Sequence, residues 1–244
     1  MMNMDQSKTV RDWVREIPVA ASVFEEMGIE YCCDGGQTLE RACAKAHKTV
    51  SQVEKRIVEK INSASRSGGG RDWANATLSD LMVHIVEAHH SPTRRELERL
   101  APLARTVARV HGKFHPELLR IQSVFDGMSE ELTMHMNKEE QSLFPYIAEV
   151  EEAVLERRHI RSTMRDSSLP PVTEMIAEHE SAAEHLHEIR EASHNFEVPA
   201  GGCLSYRSFY EGLKALEKDL HQHVSLENNI LLPRALEMKS SSRN

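Results

Sequence analysis

The sequence predicts an all-α protein in which a small helical domain precedes a four-helix bundle. No segment shows the alternation of β-branched residues that marks a strand. Four long segments beyond residue 76 repeat apolar residues at helical spacing, and four amphipathic helices of this length are typical of a bundle. A stretch rich in serine and glycine separates them from shorter helical segments near the N-terminus.

The predicted N-terminal domain covers residues 1–62 and contains four short helical segments. Their sequences are TVRDWVREIP, VAASVFEEMG, QTLERACAKAH and TVSQVEKRIVEKI, with Pro18 and Gly28 as breaks. The stretch NSASRSGGGRD follows them and has the composition of a flexible tether. We therefore expect a linker over residues 63–76.

The predicted bundle covers residues 77–240. Its four helical segments span roughly 77–109, 115–150, 171–195 and 205–238. Thr77 could cap the first of them, and Pro92 and Pro102 predict bends or a break along it.

Composition excludes several classes of function. The chain is 40% hydrophobic, 28% charged and 5% aromatic, with a formal net charge of −8, which argues against a nucleic-acid partner. No apolar run approaches the roughly 18 residues that a membrane span requires. The first residues lack the layout of a secretion signal. Four cysteines, two of them adjacent, do not form a disulfide framework. We expect a cytoplasmic protein with no nucleic-acid or membrane partner.

Two bundle segments place a histidine and a glutamate four residues apart among apolar residues. HMNKEEQSLFPYI contains His135 and Glu139, and HQHVSLENNILLP contains His223 and Glu227. Residues at this spacing share one helix face, and burying an unpartnered carboxylate there is costly. A single pair of this kind is usually solvated. Two pairs in similar frames, each followed by a Phe-Pro or Leu-Pro step, indicate a metal site.

The other two bundle segments supply further imidazole ligands. IAEHESAAEHLHEI offers His179, and HIVEAHHSP offers His84, His89 and His90. Four imidazoles and two bridging carboxylates give eight donor atoms. Shared between two metals, with a solvent-derived bridge, they leave one position open on each. Mixed ligation of this kind suits iron or manganese better than structural zinc.

These segments resemble the ligand motifs of the iron–sulfur cluster repair di-iron proteins, also called the repair of iron centres family, whose bundle is hemerythrin-like. HMNKEEQSLFP, AEHESA and HVSLENNILLPRA match those motifs, and YCCDGGQTLERACAKAH is similar to the family's cysteine-bearing N-terminal domain. The resemblance covers nearly the whole chain. It implies two non-haem iron ions, oxo- and carboxylate-bridged, with Glu139 and Glu227 as the bridging carboxylates. The implied ligands are His90, His135, Glu139, His179, His223 and Glu227.

Two histidines compete for the position on the first bundle helix. Helical periodicity places His89 nearest the middle of the apolar face and His90 toward its edge. The resemblance favours His90, which we adopt, with His89 as the rival and His84 third. Oxygen-carrying hemerythrins have a further histidine where this chain has Ala183. The missing ligand suits small-molecule chemistry or iron release rather than reversible oxygen storage.

Cys32 and Cys33 are the candidate reactive thiols. They precede a Gly-Gly turn and a helix for which Thr38 is a candidate cap, and a thiol near a helix N-terminus can be activated. The resemblance implies a functional role for the pair, such as redox chemistry or thiol exchange. We expect Cys43 to be structural, and Cys203 has no evident partner in the sequence.

The resemblance implies a stress-response protein that repairs iron–sulfur clusters damaged by nitrosative or oxidative stress, by supplying iron. Its partners would be damaged iron–sulfur proteins, and NO and O2 would be its small ligands. Two alternatives stay open: a nitric oxide reductase that forms nitrous oxide, and a non-catalytic sensor of O2 or NO. The sequence leaves the choice between donor and enzyme open, as it does that between monomer and homodimer. Glu131 and Glu178 adjoin the ligand frames and are candidates for tuning the site.

Overall fold

The computed structural model describes residues 8–17, 19–31, 35–64, 72–159 and 172–241. These residues form α-helices joined by turns and by three π-helical turns, with an isolated bridge between Thr9 and Thr38. The all-α prediction is confirmed. The α-helices are α1 (Val10–Glu16), α2 (Val19–Met27), α3 (Leu39–Lys45), α4 (Val50–Ala64), α5 (Leu78–Ile85), α6 (Ser91–His111), α7 (Glu117–Lys138), α8 (Phe144–Leu155), α9 (Val172–Ala192), α10 (Leu204–Leu226) and α11 (Leu232–Ser241). The π-helical turns are π1 (Val86–His90), π2 (Glu139–Leu143) and π3 (Glu227–Leu231).

The chain divides into two compact units. The first consists of Met1–Met82, Ile147–Arg161 and His221–Asn244, and the second of Val83–Tyr146 and Ser162–Leu220. Of the predicted linker, residues 65–71 lie outside the described residues, and α4 extends to Ala64. The domain division at residues 62 and 77 stays a prediction.

Helices α1 to α4 pack around an apolar core of their own in the first unit. Trp13, Phe24, Leu39 and Ile57 are among its buried members. Helix α1 begins with a reciprocal cap: the Asp12 N–H donates to Thr9 Oγ1 at 3.2 Å, and Asp12 Oδ2 accepts from the Thr9 N–H at 3.0 Å. This arrangement satisfies two backbone donors that the first helical turn would leave unpaired.

The start of α5 is held by side chains from later in the first unit. The carboxylate of Glu151 accepts hydrogen bonds from the backbone N–H groups of Leu78 at 2.6 Å and Ser79 at 2.9 Å. The guanidinium of Arg234 donates to the carbonyl oxygens of Trp73 and Ala76. A buried carboxylate at a helix N-terminus accepts from N–H groups that the helix leaves unpaired, and its negative charge is stabilised by the positive end of the helix dipole.

Four helices pack around the core of the second unit. α6, α7, α9 and α10 contribute buried apolar residues at helical spacing, among them Leu100, Phe125, Leu186 and Phe209. Gly212 permits a close approach between α10 and α6, because a Cβ atom there would lie 2.5 Å from Leu100 Cδ2. Of the bends or break predicted at Pro92 and Pro102, a break does not occur at Pro102, since α6 is continuous through that residue.

Each π-helical turn ends two residues before a proline. π1 precedes Pro92, π2 precedes Pro145 and π3 precedes Pro233. Proline has no N–H donor and its ring clashes with the carbonyl group four residues earlier. A widened turn relieves that clash, and π turns inside α-helices are frequent at functional sites. Pro102 shows that proline alone does not produce a π turn.

Among the described residues, the structure has no helix with the length and apolar character of a membrane span.

Candidate metal centre

Six buried side chains in the described part of the chain belong to groups of ligand atoms that could hold metal ions. They are the residues that the sequence predicts as ligands, and that role stays a prediction. The six residues are His90, His135, Glu139, His179, His223 and Glu227.

In the second unit, three imidazoles gather around one carboxylate. Glu139 is 0% exposed, and its Oε2 lies 3.3 Å from His90 Nε2 and 3.4 Å from His135 Nε2. His179 Nε2 lies 3.0 Å from His135 Nε2. Helix α6 is preceded by π1, which ends at His90, while π2 begins at Glu139. Two π turns therefore lie directly at this cluster.

Two of these imidazoles are each oriented by an acidic side chain of their own. Glu140 Oε1 lies 2.7 Å from His90 Nδ1, and Glu178 Oε2 lies 2.7 Å from His135 Nδ1. A carboxylate only accepts, so each Nδ1 carries the hydrogen. The Nε2 lone pair is then available to a metal, which is the usual carboxylate–histidine–metal arrangement.

Basic residues keep these two orienting carboxylates ionised. Burial raises the pKa of Glu140, but hydrogen bonds from Arg94 and His90 outweigh it, and the pKa lies below the usual range. The pKa of Glu178 is lowered in the same way, since hydrogen bonds from Lys138 and His135 outweigh its burial. Both groups are therefore anionic at neutral pH.

The end of α10, which from His221 onward belongs to the first unit, carries the histidine of the second His/Glu pair, and π3 carries its glutamate. His223 Nε2 lies 2.9 Å from Glu227 Oε1, and both side chains are buried. Glu227 is the first residue of π3, as Glu139 is of π2, and in both turns the carbonyl of the glutamate accepts the N–H five residues later. The repeated sequence frame thus forms the same local structure twice.

The buried donors fit a metal ion. Among the described residues, neither oxygen of Glu139 accepts a hydrogen bond, although both are buried. An ionised carboxylate in that position is strongly disfavoured unless a cation compensates it. Imidazole and carboxylate donors together match divalent iron, manganese or zinc.

The rival histidines lie in a different environment. His89 is buried, and its Nδ1 lies 2.9 Å from Asp219 Oδ1. The other carboxylate oxygen of Asp219 accepts a hydrogen bond from the Thr93 hydroxyl at 3.3 Å. The His84 ring packs edge-on against that of His89, with centroids 5.6 Å apart. The structure therefore brings His90, not His89, to Glu139.

Some partners of the site were not found from the sequence. The guanidinium of Arg94 donates a hydrogen bond to Glu140 Oε1 at 2.8 Å. The two residues are 46 positions apart, so no local sequence pattern predicts this contact. One signal was present: Arg94 follows His90 by four residues and so shares its helix face.

The remaining predicted site residues have varied outcomes. Glu178 contacts a candidate ligand, whereas Glu131 accepts a hydrogen bond from Ser181 at 3.1 Å. Cys32 and Cys33 lie outside the described residues. Cys43 is buried, and burial raises the pKa of its thiol; Cys203 is exposed, with its Sγ 3.2 Å from His111 Nε2.

Comparison with known proteins identifies the family. The model of the hemerythrin HHE cation-binding domain matches residues 81–235, and the model ScdA_N, a domain of unknown function, matches residues 6–61. The iron–sulfur cluster repair protein YtfE of Escherichia coli O81 (strain ED1a) is 33% identical over 220 residues, covering 90% of this chain and 92% of the relative. YtfE of Enterobacter sp. (strain 638) is 33% identical over 223 residues, covering 91% and 94%. The chain belongs to the hemerythrin-type iron–sulfur cluster repair family. The family predicted from the sequence motifs is thereby confirmed.

Membership of the hemerythrin-type repair family agrees with the buried cluster. The matched cation-binding domain spans all six histidines and glutamates described above. The N-terminal match covers α1 to α3 and α4 as far as residue 61, the part of the first unit with its own apolar core.

Proposed function

We propose that His90, His135, Glu139, His179, His223 and Glu227 hold two iron ions, with Glu139 and Glu227 as bridging ligands. Glu139 supports this proposal most strongly, because its carboxylate is buried, accepts no hydrogen bond from described residues and has two imidazole nitrogens within 3.4 Å. The family's cation-binding domain is the second support. When bound, the iron pair would supply Lewis-acid and redox chemistry and positions for small ligands.

The surrounding residues would hold iron without enclosing it completely. Glu140 and Glu178 would keep the Nε2 atoms of His90 and His135 directed at the metal. Ala183 stands one turn after His179, so this helix offers one imidazole there rather than two. We infer a site with open coordination positions, which favours exchange of iron or small ligands over permanent storage.

We propose that the protein repairs damaged iron–sulfur clusters by supplying iron to them. The relatives it matches are iron–sulfur cluster repair proteins, which supports this role. The proposed donor set also supports it, because it contains no thiolate to compete with the cluster for iron. Iron–sulfur proteins damaged by nitric oxide or oxidants are the proposed recipients, with iron as the cargo.

A reconstitution assay tests this proposal. An iron–sulfur dehydratase inactivated by nitric oxide is mixed with the iron-loaded protein, or with an equal amount of free ferrous iron. We expect the loaded protein to restore activity well above free iron, and Glu139→Ala to lose this advantage while the exposed Glu184→Ala retains it. Recovery equal to that with free iron would contradict donation. Sustained formation of nitrous oxide with an electron donor would instead indicate a reductase.

A further inference from the structure

Asn229 joins the metal-binding turn of the first unit to the N-terminal segment. It lies in π3, two residues after Glu227, and its side chain is fully buried. Its amide nitrogen donates to the carbonyl oxygen of Tyr31 at 3.0 Å and to Ser225 Oγ at 2.9 Å. Its amide oxygen accepts from Arg11 Nε at 3.2 Å. The amide thus uses both donors and one acceptor position, so its orientation is fixed.

Arg11 links the buried amide of Asn229 to Gly35. Its backbone N–H donates to the carbonyl oxygen of Gly35 at 2.8 Å, while its side chain reaches Asn229. Tyr31 precedes, and Gly35 follows, the segment that contains the two adjacent cysteines. Both ends of that segment are therefore tied, directly or through Arg11, to one buried amide.

Gly35 also lies against the same amide. A Cβ atom at position 35 would be 2.8 Å from Asn229 Oδ1, closer than real Cβ contacts. Only glycine therefore permits this approach without a shift of the amide. Helix α1, which carries Arg11, packs against π3. Hydrogen bonds and packing thus lead from Glu227 through Asn229 to both flanks of the cysteine segment.

We propose that Asn229 is a positioning residue that couples metal binding at Glu227 to the backbone on both sides of residues 32–34. The inference rests on the proposed iron site. Glu227 and Asn229 belong to one five-residue π turn, so a carboxylate that binds metal constrains the turn that carries the amide. If the amide moved, the carbonyl oxygen of Tyr31 and the guanidinium of Arg11 would each lose a buried hydrogen bond, which is costly. Holding the amide in place therefore also holds Tyr31 and Arg11. Metal-bound and metal-free Glu227 are the two states that this coupling requires.

Hydrogen exchange of the full chain, with and without ferrous iron, tests the coupling. The amides of Val10 and Arg11 report on it, because they donate to the carbonyl groups of Gln37 and Gly35. In the wild type we expect iron to slow their exchange by about tenfold, the change that one net buried hydrogen bond produces. Alkylation of Cys32 and Cys33, measured by mass spectrometry against the exposed Cys203, is expected to slow in parallel.

Two variants and a control separate coupling from general stability. Asn229→Ala should abolish the iron effect on exchange, and Arg11→Met, whose side chain is remote in sequence from the ligands, should do so with iron content unchanged. Ser225→Ala removes a contact on the helix side alone and should keep the effect. Equal exchange with and without iron in an iron-binding wild type would overturn the inference, as would a full iron effect in Arg11→Met. A wild type that binds no iron would instead contradict the proposed function.

Discussion

Two acidic side chains outside the proposed ligand set determine how two imidazoles point. Glu140 accepts a hydrogen bond from His90 Nδ1, and Glu178 accepts one from His135 Nδ1. Arg94 forms an ion pair with Glu140, and Lys138 forms one with Glu178. The charge of these partners makes each imidazole a stronger ligand, and their geometry fixes its tautomer. We expect metal affinity to depend on them although neither contacts a metal in the proposed site.

Neutralising either partner should weaken iron binding. Glu140→Gln and Glu178→Gln keep size but lose charge, and each is expected to lower iron affinity by about 10- to 100-fold. Competition with a ferrous chelator measures this. The exposed Glu184→Gln on α9 serves as the matched control and should behave as the wild type. Unchanged affinity in both variants would show that the carboxylates do not act on the ligands.

The repeated His/Glu spacing made much of the candidate site predictable at the level of residues. His135 with Glu139, and His223 with Glu227, share a helix face whatever the tertiary structure. The choice between His89 and His90 was different, because π1 ends at His90 and changes the helical phase that periodicity assumes. Glu140 was missed, since only folding brings it to a histidine 50 residues away.

At the scale of single helices, the cap of α1 makes stability depend on pH. The capping box of α1 lowers the pKa of Asp12, chiefly through the hydrogen bond from the Thr9 hydroxyl. A carboxyl whose pKa is lower in the folded state stabilises the fold above its unfolded pKa. That contribution disappears as the pH falls through the folded value.

Replacing Asp12 should make the stability of the N-terminal helices less dependent on acid. At pH 7 we expect Asp12→Asn to cost about 0.5 kcal/mol, a modest value because the carboxylate is only partly buried and solvent screens its charge. The difference from the wild type should shrink as the pH falls below the ordinary pKa of an aspartate, because the pKa of Asp12 is lowered in the folded state. Urea unfolding followed by the fluorescence of the buried Trp13 tests this, and a pH-independent difference would contradict it.

Two helical glycines should respond to alanine in opposite ways. At Gly212 a Cβ atom would meet the side chains of Arg99 and Leu100 within 2.5 Å, so Gly212→Ala should destabilise the protein by about 1–3 kcal/mol. At Gly127 in α7 nothing lies within 4 Å, so Gly127→Ala should stabilise it by about 0.5–1 kcal/mol. Chemical unfolding of both variants compares the two effects. Stabilisation by both would show that the close approach at Gly212 relaxes easily.

Helix existence and approximate bounds followed from periodicity, but the interruptions did not. Pro92, Pro145 and Pro233 were visible in the sequence, yet Pro102 sits inside a regular helix, so proline does not by itself indicate a π turn. The N–H caps that Glu151 provides to α5 come from 72–73 residues away and have no local signature.

For the chain as a whole, the proposed metal ions would offset an electrostatic cost. The formal net charge is −8, and Glu139 and Glu227 are completely buried. Two cations at these carboxylates would offset the cost of burying their charges. Family and fold class were predictable from ordered motifs, whereas the contact between α1 and π3 was not, because it joins segments about 218 residues apart.

Removal of iron should therefore lower the thermal stability of the folded protein. At a free iron concentration about 1,000 times the dissociation constant, binding contributes about 4 kcal/mol by mass action. Differential scanning calorimetry before and after chelation should show a lower Tm for the metal-free form, and Glu139→Ala should show little dependence on iron. An identical Tm in both forms of the wild type would mean that the folded state does not bind the metal preferentially.

Metal analysis of the purified protein, combined with its optical spectrum, decides whether these buried side chains hold iron. We expect two iron ions per chain and, after oxidation, a near-ultraviolet band of a bridged diferric pair, both lost in Glu139→Ala. A single bound zinc ion, or iron that is retained in full when Glu139 is replaced, would contradict the proposed centre.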